Sequence, residues 1–257
     1  MKPRSRSHDK GDLWCLHLNR GSETPYRNRF MATPSESLAR LCDHPARFLR
    51  DYYVKTVRAM HQSGPTEYWF GETGYHDTVS HQDVYDRTPR PGRFLGRLRM
   101  HNSKNFKFST NTTNLLGEPV KVEAWHVDVL QSSNFNHFGE IEPLRVSRQY
   151  GPRLMVTTLL NGCTFFCQPT EDDVLMAHIQ PIGISGTALE TGILNTGAFN
   201  GFKETAGKIA FGLGRCYTSF DDVTILGIRF GQNWRVFAQI HPRTQRHISK
   251  VVEIFTG

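Results

Sequence analysis

Cys163 and His178 are the two residues of this 257-residue chain whose types and spacing best suit covalent chemistry. The cysteine directly follows Asn161-Gly162, a pair that readily adopts positive φ and therefore favours a turn. Glycine at such a turn leaves room for substrate and lets backbone N–H groups approach a developing oxyanion. A free thiol has a pKa of about 8.5, so a nearby imidazole is needed to raise its thiolate fraction at neutral pH. The pattern predicts a cysteine nucleophile with a histidine base.

Three strand-like runs surround these two residues. The apolar, β-branched run Leu154–Leu160 predicts a buried strand that ends at the turn, and Thr164–Gln168 predicts a second strand that Pro169 terminates. After a polar loop, Val174–Ile179 predicts a third strand. Three antiparallel strands of this kind would bring the thiol and the imidazole to one edge of a sheet.

A third group would hold the imidazole in the right tautomer, and the hydroxyl of Thr157 or a backbone carbonyl could do so. Two simpler interpretations stay open: a buried cysteine is often only a small apolar residue, and a strand histidine is often a structural hydrogen-bonding residue. Cys163 and Cys167 could also pair or bind a metal. Three intervening residues do not fit the usual Cys-x-x-Cys spacing, and no second ligand pair follows, so we predict no metal site here.

A short motif resembles a known family. The run Leu160-Asn161-Gly162-Cys163-Thr164, with His178 on the third predicted strand, resembles the Leu-Ser-Gly-Cys signature of the cytotoxic necrotizing factor family of bacterial glutamine deamidase toxins. Asn161 stands where that signature has serine. The separation of Cys163 from His178 resembles that of the necrotizing factors. The position of Thr157 relative to Cys163 resembles the third triad member of two more distant relatives, Burkholderia lethal factor and the chemotaxis receptor deamidase CheD. The resemblance covers at most residues 105–257.

The resemblance implies a protein-glutamine glutaminase with Cys163 as nucleophile, His178 as acid and base, and Thr157 as the third member. It implies no cofactor and no metal. The partner would be a host protein, most simply a Rho-class small GTPase, in which a glutamine orients the water that hydrolyses GTP. A translation-initiation helicase or a chemoreceptor is the alternative substrate. A primary amine in place of water would give a transglutaminase side activity.

Two other function classes remain open. The chain could be a cysteine hydrolase of another kind, such as a peptidase, which would cut peptide bonds rather than carboxamides. It could also be a binding module on a deamidase-like fold, with an inert thiol at position 163.

The cysteine content and the first ten residues predict the compartment in which the protein acts. Five cysteines at widely spaced positions do not resemble a disulfide framework, which predicts a reducing compartment. Met1–Lys10 is basic but lacks an apolar core, so we expect secretion or translocation into a host cytosol without an ordinary signal peptide. We expect a monomer.

Positive charge is concentrated in the first part of the chain. Residues 1–109 hold 19 Lys and Arg against 11 Asp and Glu, whereas residues 110–257 hold 12 against 13. The densest segment is Arg87–Arg99, with five arginines and no acid. A solvated linker is the simplest interpretation, and contact with an anionic membrane or an acidic partner is the functional one. No recognised nucleic-acid-binding module surrounds the segment, so we do not expect nucleic acid as a partner.

The remaining patterns predict the organisation of the chain. Ser35–Cys42 and Pro45–His61 have helical periodicity, and residues 66–104 lack a sustained period. We therefore predict a basic N-terminal extension over residues 1–104, partly helical and partly flexible, and a deamidase-like catalytic domain over residues 105–257.

Within the second part we predict a β-rich α+β fold, a β-sandwich of mixed and antiparallel sheets flanked by helices. The supporting segments are a long strand at Val120–Leu130, a loop at Gly183–Thr196, a helix at Gly201–Leu213, a hairpin formed by Val223–Arg229 and Trp234–Ile240, and an edge strand at Val251–Phe255.

Overall fold

The structure is a computed structural model, which describes residues 32–57, 63–73, 105–134, 140–195, 207, 209–243 and 248–257. These residues form two β-sheets that pack face to face, with helices on the outer sides. The predicted fold class, an α+β protein with a β-sandwich of mixed sheets flanked by helices, is confirmed.

The larger sheet has eight strands in the spatial order β1-β3-β2-β4-β7-β11-β12-β13. It is mixed, because β1 pairs with β3 and β4 pairs with β7 in parallel while the other pairs are antiparallel. In chain order these strands are β1 (Tyr53–Thr56), β2 (Gly64–Thr73), β3 (Asn105–Ser109), β4 (Leu116–Val127), β7 (Leu154–Thr157), β11 (Asp221–Phe230), β12 (Asn233–Pro242) and β13 (Lys250–Thr256).

The smaller sheet has five strands, in the order β10-β8-β9-β5, with β6 also paired to β9. Strand β8 occupies one edge of β9. Along the other edge, β6 pairs with the first part of β9 and β5 pairs with its last part. The five strands are β5 (Val129–Gln131), β6 (Leu144–Ser147), β8 (Thr164–Pro169), β9 (Asp173–Gln180) and β10 (Ile209–Gly212).

Three α-helices and a short 3-10 helix complete the fold: α1 (Pro34–Asp43), α2 (Pro45–Asp51), α3 (Gly186–Asn195) and the 3-10 turn Ser132–Asn134. The start of α1 is fixed by a capping box, in which the Thr33 hydroxyl accepts from the Glu36 backbone and the Glu36 carboxylate accepts from the Thr33 backbone. No helix within the described ranges is long and apolar enough to cross a membrane.

Three apolar layers hold these elements together. The central layer lies between the two sheets and includes Met155, Phe165 and Trp234. A second layer joins the larger sheet to α1 and α2, and a third joins the outer face of β8 and β9 to α3 through Leu189 and Ile193. Because both faces of the central strands are covered, β8 and β9 are buried along almost their whole length.

The predicted boundary between residues 104 and 105 is wrong, because it falls inside one sheet. β1 and β2 precede it and β3 and β4 follow it, yet all four are hydrogen-bonded neighbours in the larger sheet. The predicted helix Pro45–His61 ends at Asp51, and the aromatic and β-branched segment that follows forms β1 instead. Of the segment 66–104, predicted to be irregular, residues 66–73 form part of β2, and residues 74–104, including Arg87–Arg99, lie outside the described residues.

Other segments also differ from the predictions. Gly183–Thr196 was predicted to be a loop, but most of it forms α3, because Leu189 and Ile193 lie four residues apart and bury one helical face. The helix predicted at Gly201–Leu213 is wrong where the structure describes it, since Ile209–Gly212 forms β10 against β8.

Two strand predictions are confirmed at the far end of the chain. The hairpin of β11 and β12 turns at Gly231 and Gln232, and Gly231 has the positive φ of +60° that such a tight turn requires. β13 is the edge strand predicted at Val251–Phe255. The long strand predicted at Val120–Leu130 divides at Asp128, where the chain leaves β4 in the larger sheet and enters β5 in the smaller one.

Candidate functional site

Cys163 and His178 lie on the same face of the smaller sheet. The antiparallel register of β8 and β9 pairs Phe165 with His178, and Cys163 lies two positions before Phe165. Side chains two apart on a strand share a face, and diagonal neighbours of this kind are about 7–8 Å apart at the backbone. Both residues therefore face the larger sheet, and Cys163 is part of the apolar layer between the sheets.

Thr157 reaches this pair from the opposite sheet. Its Oγ1 is 2.7 Å from His178 Nδ1 and donates a hydrogen bond of 2.7 Å to the carbonyl of Val127. β7, which carries Thr157, belongs to the larger sheet, so the three-stranded antiparallel arrangement predicted around the turn is wrong. The thiol and the imidazole still share a face, and the hydroxyl contacts the ring across the interior of the sandwich.

These hydrogen bonds assign the tautomer of His178. A threonine hydroxyl has one proton, and Thr157 donates it to Val127, so the same oxygen accepts from Nδ1–H. In a neutral ring the Nε2 atom is then unprotonated. Nε2 is buried and has no hydrogen-bond partner in the part of the chain that the structure describes. It is therefore an unused acceptor on the side of the sheet that carries Cys163.

The imidazole is neutral at physiological pH. Burial, together with a smaller effect of the nearby His126, lowers the pKa of His178 from its ordinary 6.5 to about 3. His126 is itself fully buried and lies 2.8 Å, through Nδ1, from the hydroxyl of Tyr68.

The turn before Cys163 has the expected geometry. Gly162 has a φ of +95°, and a Cβ at this position would meet no atom within 4 Å, so the conformation alone explains the glycine. Burial raises the pKa of the Cys163 thiol above its ordinary value, and a hydrogen bond from the Asn161 backbone partly offsets this effect. The resting thiol and the resting imidazole are therefore both neutral.

Tyr217 is hydrogen-bonded to the end of this turn. Its buried hydroxyl donates a short hydrogen bond to the carbonyl of Cys163. Burial raises the pKa of Tyr217 above its ordinary value, and the neighbouring Cys163 thiol raises it by a smaller amount. The phenol therefore keeps its proton and remains a donor. Gly212 packs against the next residue, Thr164, so closely that a Cβ on the glycine would lie 2.5 Å from the threonine hydroxyl.

The strand that leads to the turn is irregular where it meets the site. β7 pairs Val156 with Leu226, and the isolated bridge that follows pairs Leu160 with Val223. The four residue steps from Val156 to Leu160 thus oppose the three steps from Leu226 to Val223, which is the geometry of a β-bulge. Thr158 and Leu159 occupy the bulge, so the predicted strand Leu154–Leu160 is interrupted after Thr157.

The Cys163 cleft, as we call it, is an open depression of about 570 Å³ at this end of the sandwich. Its wall joins the end of β1, the bulge, the turn and the ends of β5 and β9. The lining residues are Thr56, Val129, Gln131, Thr158, Leu159, Asn161, Cys163 and Gln180. Only 6% of the Cys163 surface is exposed, and the exposed part opens into this cleft.

The structure places Thr157 in contact with His178 and Cys163 on the same face as His178, while the described residues show no hydrogen bond between the thiol and the imidazole. Cys167 lies elsewhere, because it is four residues further along the same face, roughly 13 Å away at the rise of a strand. That separation is too large for a disulfide, and both thiols are free. Among the described residues there is no group of three or more His, Cys, Asp or Glu side chains that could hold a metal ion.

Sequence reasoning missed four residues of the site: Thr56, Gln131, Gln180 and Tyr217. Strand alternation could have identified Gln180, since it lies two residues after His178 and therefore on the same face. No local pattern marks Thr56 or Tyr217, because their positions at the site depend on which strands pair.

Comparison of the chain with models of known protein families and with curated protein sequences gives no match.

Proposed function

We propose that the protein is a cysteine amidohydrolase that converts a glutamine of a substrate protein to glutamate. The observation that carries this proposal is the Thr157–His178 hydrogen bond, which directs an unpaired Nε2 to the face that bears Cys163. An imidazole fixed in this tautomer, on the same sheet face as a thiol that lines a cleft, supports a role in nucleophilic catalysis.

The chemistry can be written with these residues alone. His178 Nε2 takes the thiol proton as Cys163 Sγ attacks the carboxamide carbon, and Thr157 accepts from Nδ1–H while the ring is charged. Backbone N–H groups of the Asn161-Gly162 turn are next to the reacting atoms and would steady the oxyanion. His178 returns the proton to the leaving nitrogen, which departs as ammonia and leaves a thioester.

Hydrolysis completes the cycle. Water gives a proton to His178 Nε2 and its oxygen attacks the thioester carbon, and the collapse of the intermediate restores the thiol and releases glutamate. The net reaction consumes one water and releases one ammonia. A primary amine that replaces this water would give transglutamination.

A Rho-class GTPase is the first substrate to test, because the spacing of Cys163 and His178 resembles that of the necrotizing factors. Conversion of the water-orienting glutamine would impair GTP hydrolysis and hold the switch in its active state. A translation-initiation helicase and a chemoreceptor are the next candidates.

The test is mass spectrometry of candidate substrates after incubation with the protein. We expect the mass change of one amide-to-acid conversion at a single glutamine, with release of ammonia, and we expect Cys163→Ser to abolish both. Cys167→Ala is the matched control, since Cys167 is on the same face but does not line the cleft. Peptide-bond cleavage would instead indicate a peptidase. Full activity of Cys163→Ser would overturn the proposal.

A further inference from the structure

The hydroxyl of Thr56 is a buried polar group that has no use within the fold. Thr56 is 6% exposed, and its Oγ1 has no hydrogen-bond partner among the residues that the structure describes. Buried hydroxyls are nearly always paired, so an unpaired one calls for an explanation. Thr56 also lines the Cys163 cleft, where a ligand could supply the missing partner.

Thr56 is held in place by the frame of the protein. It ends β1, which runs parallel to β3 in a register that pairs Thr56 with Phe108. On the other edge of β1, the backbone N–H of Val54 donates to the Gln239 side chain at 3.0 Å, and the Thr224 hydroxyl donates to the Val54 carbonyl at 2.7 Å. These buried bonds tie β1 to β11 and β12, so its position does not depend on a ligand.

The chemistry of the lining limits what the cleft can hold. None of its eight residues carries a charge, although the chain as a whole has a net charge of +7. Gln131 and Gln180, which are register partners on β5 and β9, add two carboxamides to the wall. A carboxylate in this cleft would find no lining cation to pair with, whereas a neutral carboxamide would find hydroxyl and amide partners.

We propose that Thr56 is a substrate-binding residue whose hydroxyl donates to the carboxamide oxygen of the substrate, and that the cleft selects a neutral primary carboxamide over a carboxylate. This inference rests on the proposed function, since it assigns a contact to the group that Cys163 attacks. It places a specificity determinant in the N-terminal part of the chain, far in sequence from the nucleophile.

Alkylation of Cys163 in the full chain tests this contact without a substrate protein. Iodoacetamide carries a neutral carboxamide, and methyl methanethiosulfonate carries none. In the first reaction the Sγ–carbon bond forms as the carbon–iodine bond breaks, with iodide leaving and the thiol proton passing to base. The rate for each reagent is measured in a Cys167→Ala background on the tryptic peptide Leu154–Lys203, which would otherwise contain two cysteines.

We expect Thr56→Val to lower the ratio of the iodoacetamide rate to the methanethiosulfonate rate about five- to tenfold, the effect of one lost hydrogen bond. Thr56→Ser keeps the hydroxyl and should retain the ratio within about twofold. An unchanged ratio in Thr56→Val would overturn the proposal, and so would an equal loss in Thr56→Ser.

A second measurement uses the unaltered protein and therefore does not depend on how the variants fold. We expect propionamide to protect Cys163 from methyl methanethiosulfonate and propionate at the same concentration to give no protection. Equal protection by both would overturn the selectivity. If Cys163 reacts with neither reagent in the folded protein but with both after unfolding, the proposed function itself fails. If Cys163 reacts in the folded protein but Thr56→Val leaves the ratio of the two rates unchanged, only the proposed Thr56 contact is overturned.

Discussion

At the scale of single residues, the site depends on one hydroxyl that serves two partners. Thr157 Oγ1 satisfies the Val127 carbonyl and the His178 imidazole at once, and both contacts are buried. The hydroxyl therefore supports both the fold and the orientation of the imidazole. Serine preserves both roles, whereas valine preserves only the shape of the side chain.

We expect Thr157→Val to lower turnover about 10- to 100-fold, because the ring loses the acceptor that keeps the proton on Nδ1. The unfolding free energy should fall by about 2 kcal/mol, since a buried carbonyl and a buried N–H lose their partner. Thr157→Ser should recover most of both quantities. Deamidation kinetics and urea unfolding measure them, and a valine variant with full turnover would exclude a positioning role.

The pH dependence of thiol reactivity is a second prediction at this scale. Because burial raises the pKa of Cys163, its reaction with methyl methanethiosulfonate should be slow at pH 7 and should still be rising at pH 9. N-acetylcysteine provides the reference rate at each pH. A plateau below pH 8 would contradict the prediction, since it would indicate a resting thiolate–imidazolium pair.

At the scale of elements, the turn and the bulge on either side of Leu160 position residues of the site. The bulge places Thr158 and Leu159 in the wall of the cleft, and the turn returns the chain into β8 with Cys163 at its start. The chain crosses from the larger sheet to the smaller one at the turn, between Leu160 and Thr164. Cys163 therefore lies at a sheet-to-sheet crossing, directly before the first residue of β8.

Gly162→Ala separates the conformation of this turn from its packing. Gly162 and Gly231 both have positive φ and both have open space where a Cβ would lie. Alanine should cost about 1 kcal/mol of unfolding free energy at either position, because only backbone strain is added. Only Gly162→Ala should also lower turnover, since Gly231 is in the β11–β12 hairpin. Equal turnover in the two variants would show that the turn does not set the position of the thiol.

At the scale of the whole molecule, two buried histidines couple folding to pH. Burial lowers the pKa values of His178 and His241 to about 3, whereas both rings titrate near 6.5 when the chain is unfolded. Below pH 6.5 the unfolded chain therefore binds protons that the folded chain does not. Stability is fully present above this value and is lost as the pH falls toward 3.

We expect the unfolding free energy to fall by about 1.4 kcal/mol per pH unit for each of these histidines below pH 6.5. Urea unfolding between pH 7.5 and 5 measures this slope above the range in which carboxylates titrate. His241→Gln removes one of the two rings without touching the Cys163 cleft, and it should make the slope shallower. A stability that is constant over this range would contradict the pKa values of both rings.

Strand periodicity and turn residues allowed much of the molecule to be predicted. The α+β sandwich, the β11–β12 hairpin and the Gly162 turn follow from alternation and from residues with preferred φ, which are local properties. The helix at Gly186–Asn195 and the strand at Ile209–Gly212 did not follow, because their glycines obscured the periodicity and burial against β8 decided the outcome.

Local sequence patterns alone are enough to predict that a thiol follows a turn and that an imidazole lies on a strand nearby, because both features depend on neighbours along the chain. Two further features are visible only in the folded chain: Thr157 contacts His178 from the opposite sheet, and Thr56 lines the cleft. The physical reason is that strand pairing and sheet packing are set by burial summed over the whole core. Residues more than a hundred positions apart therefore form one site without any local signal that connects them.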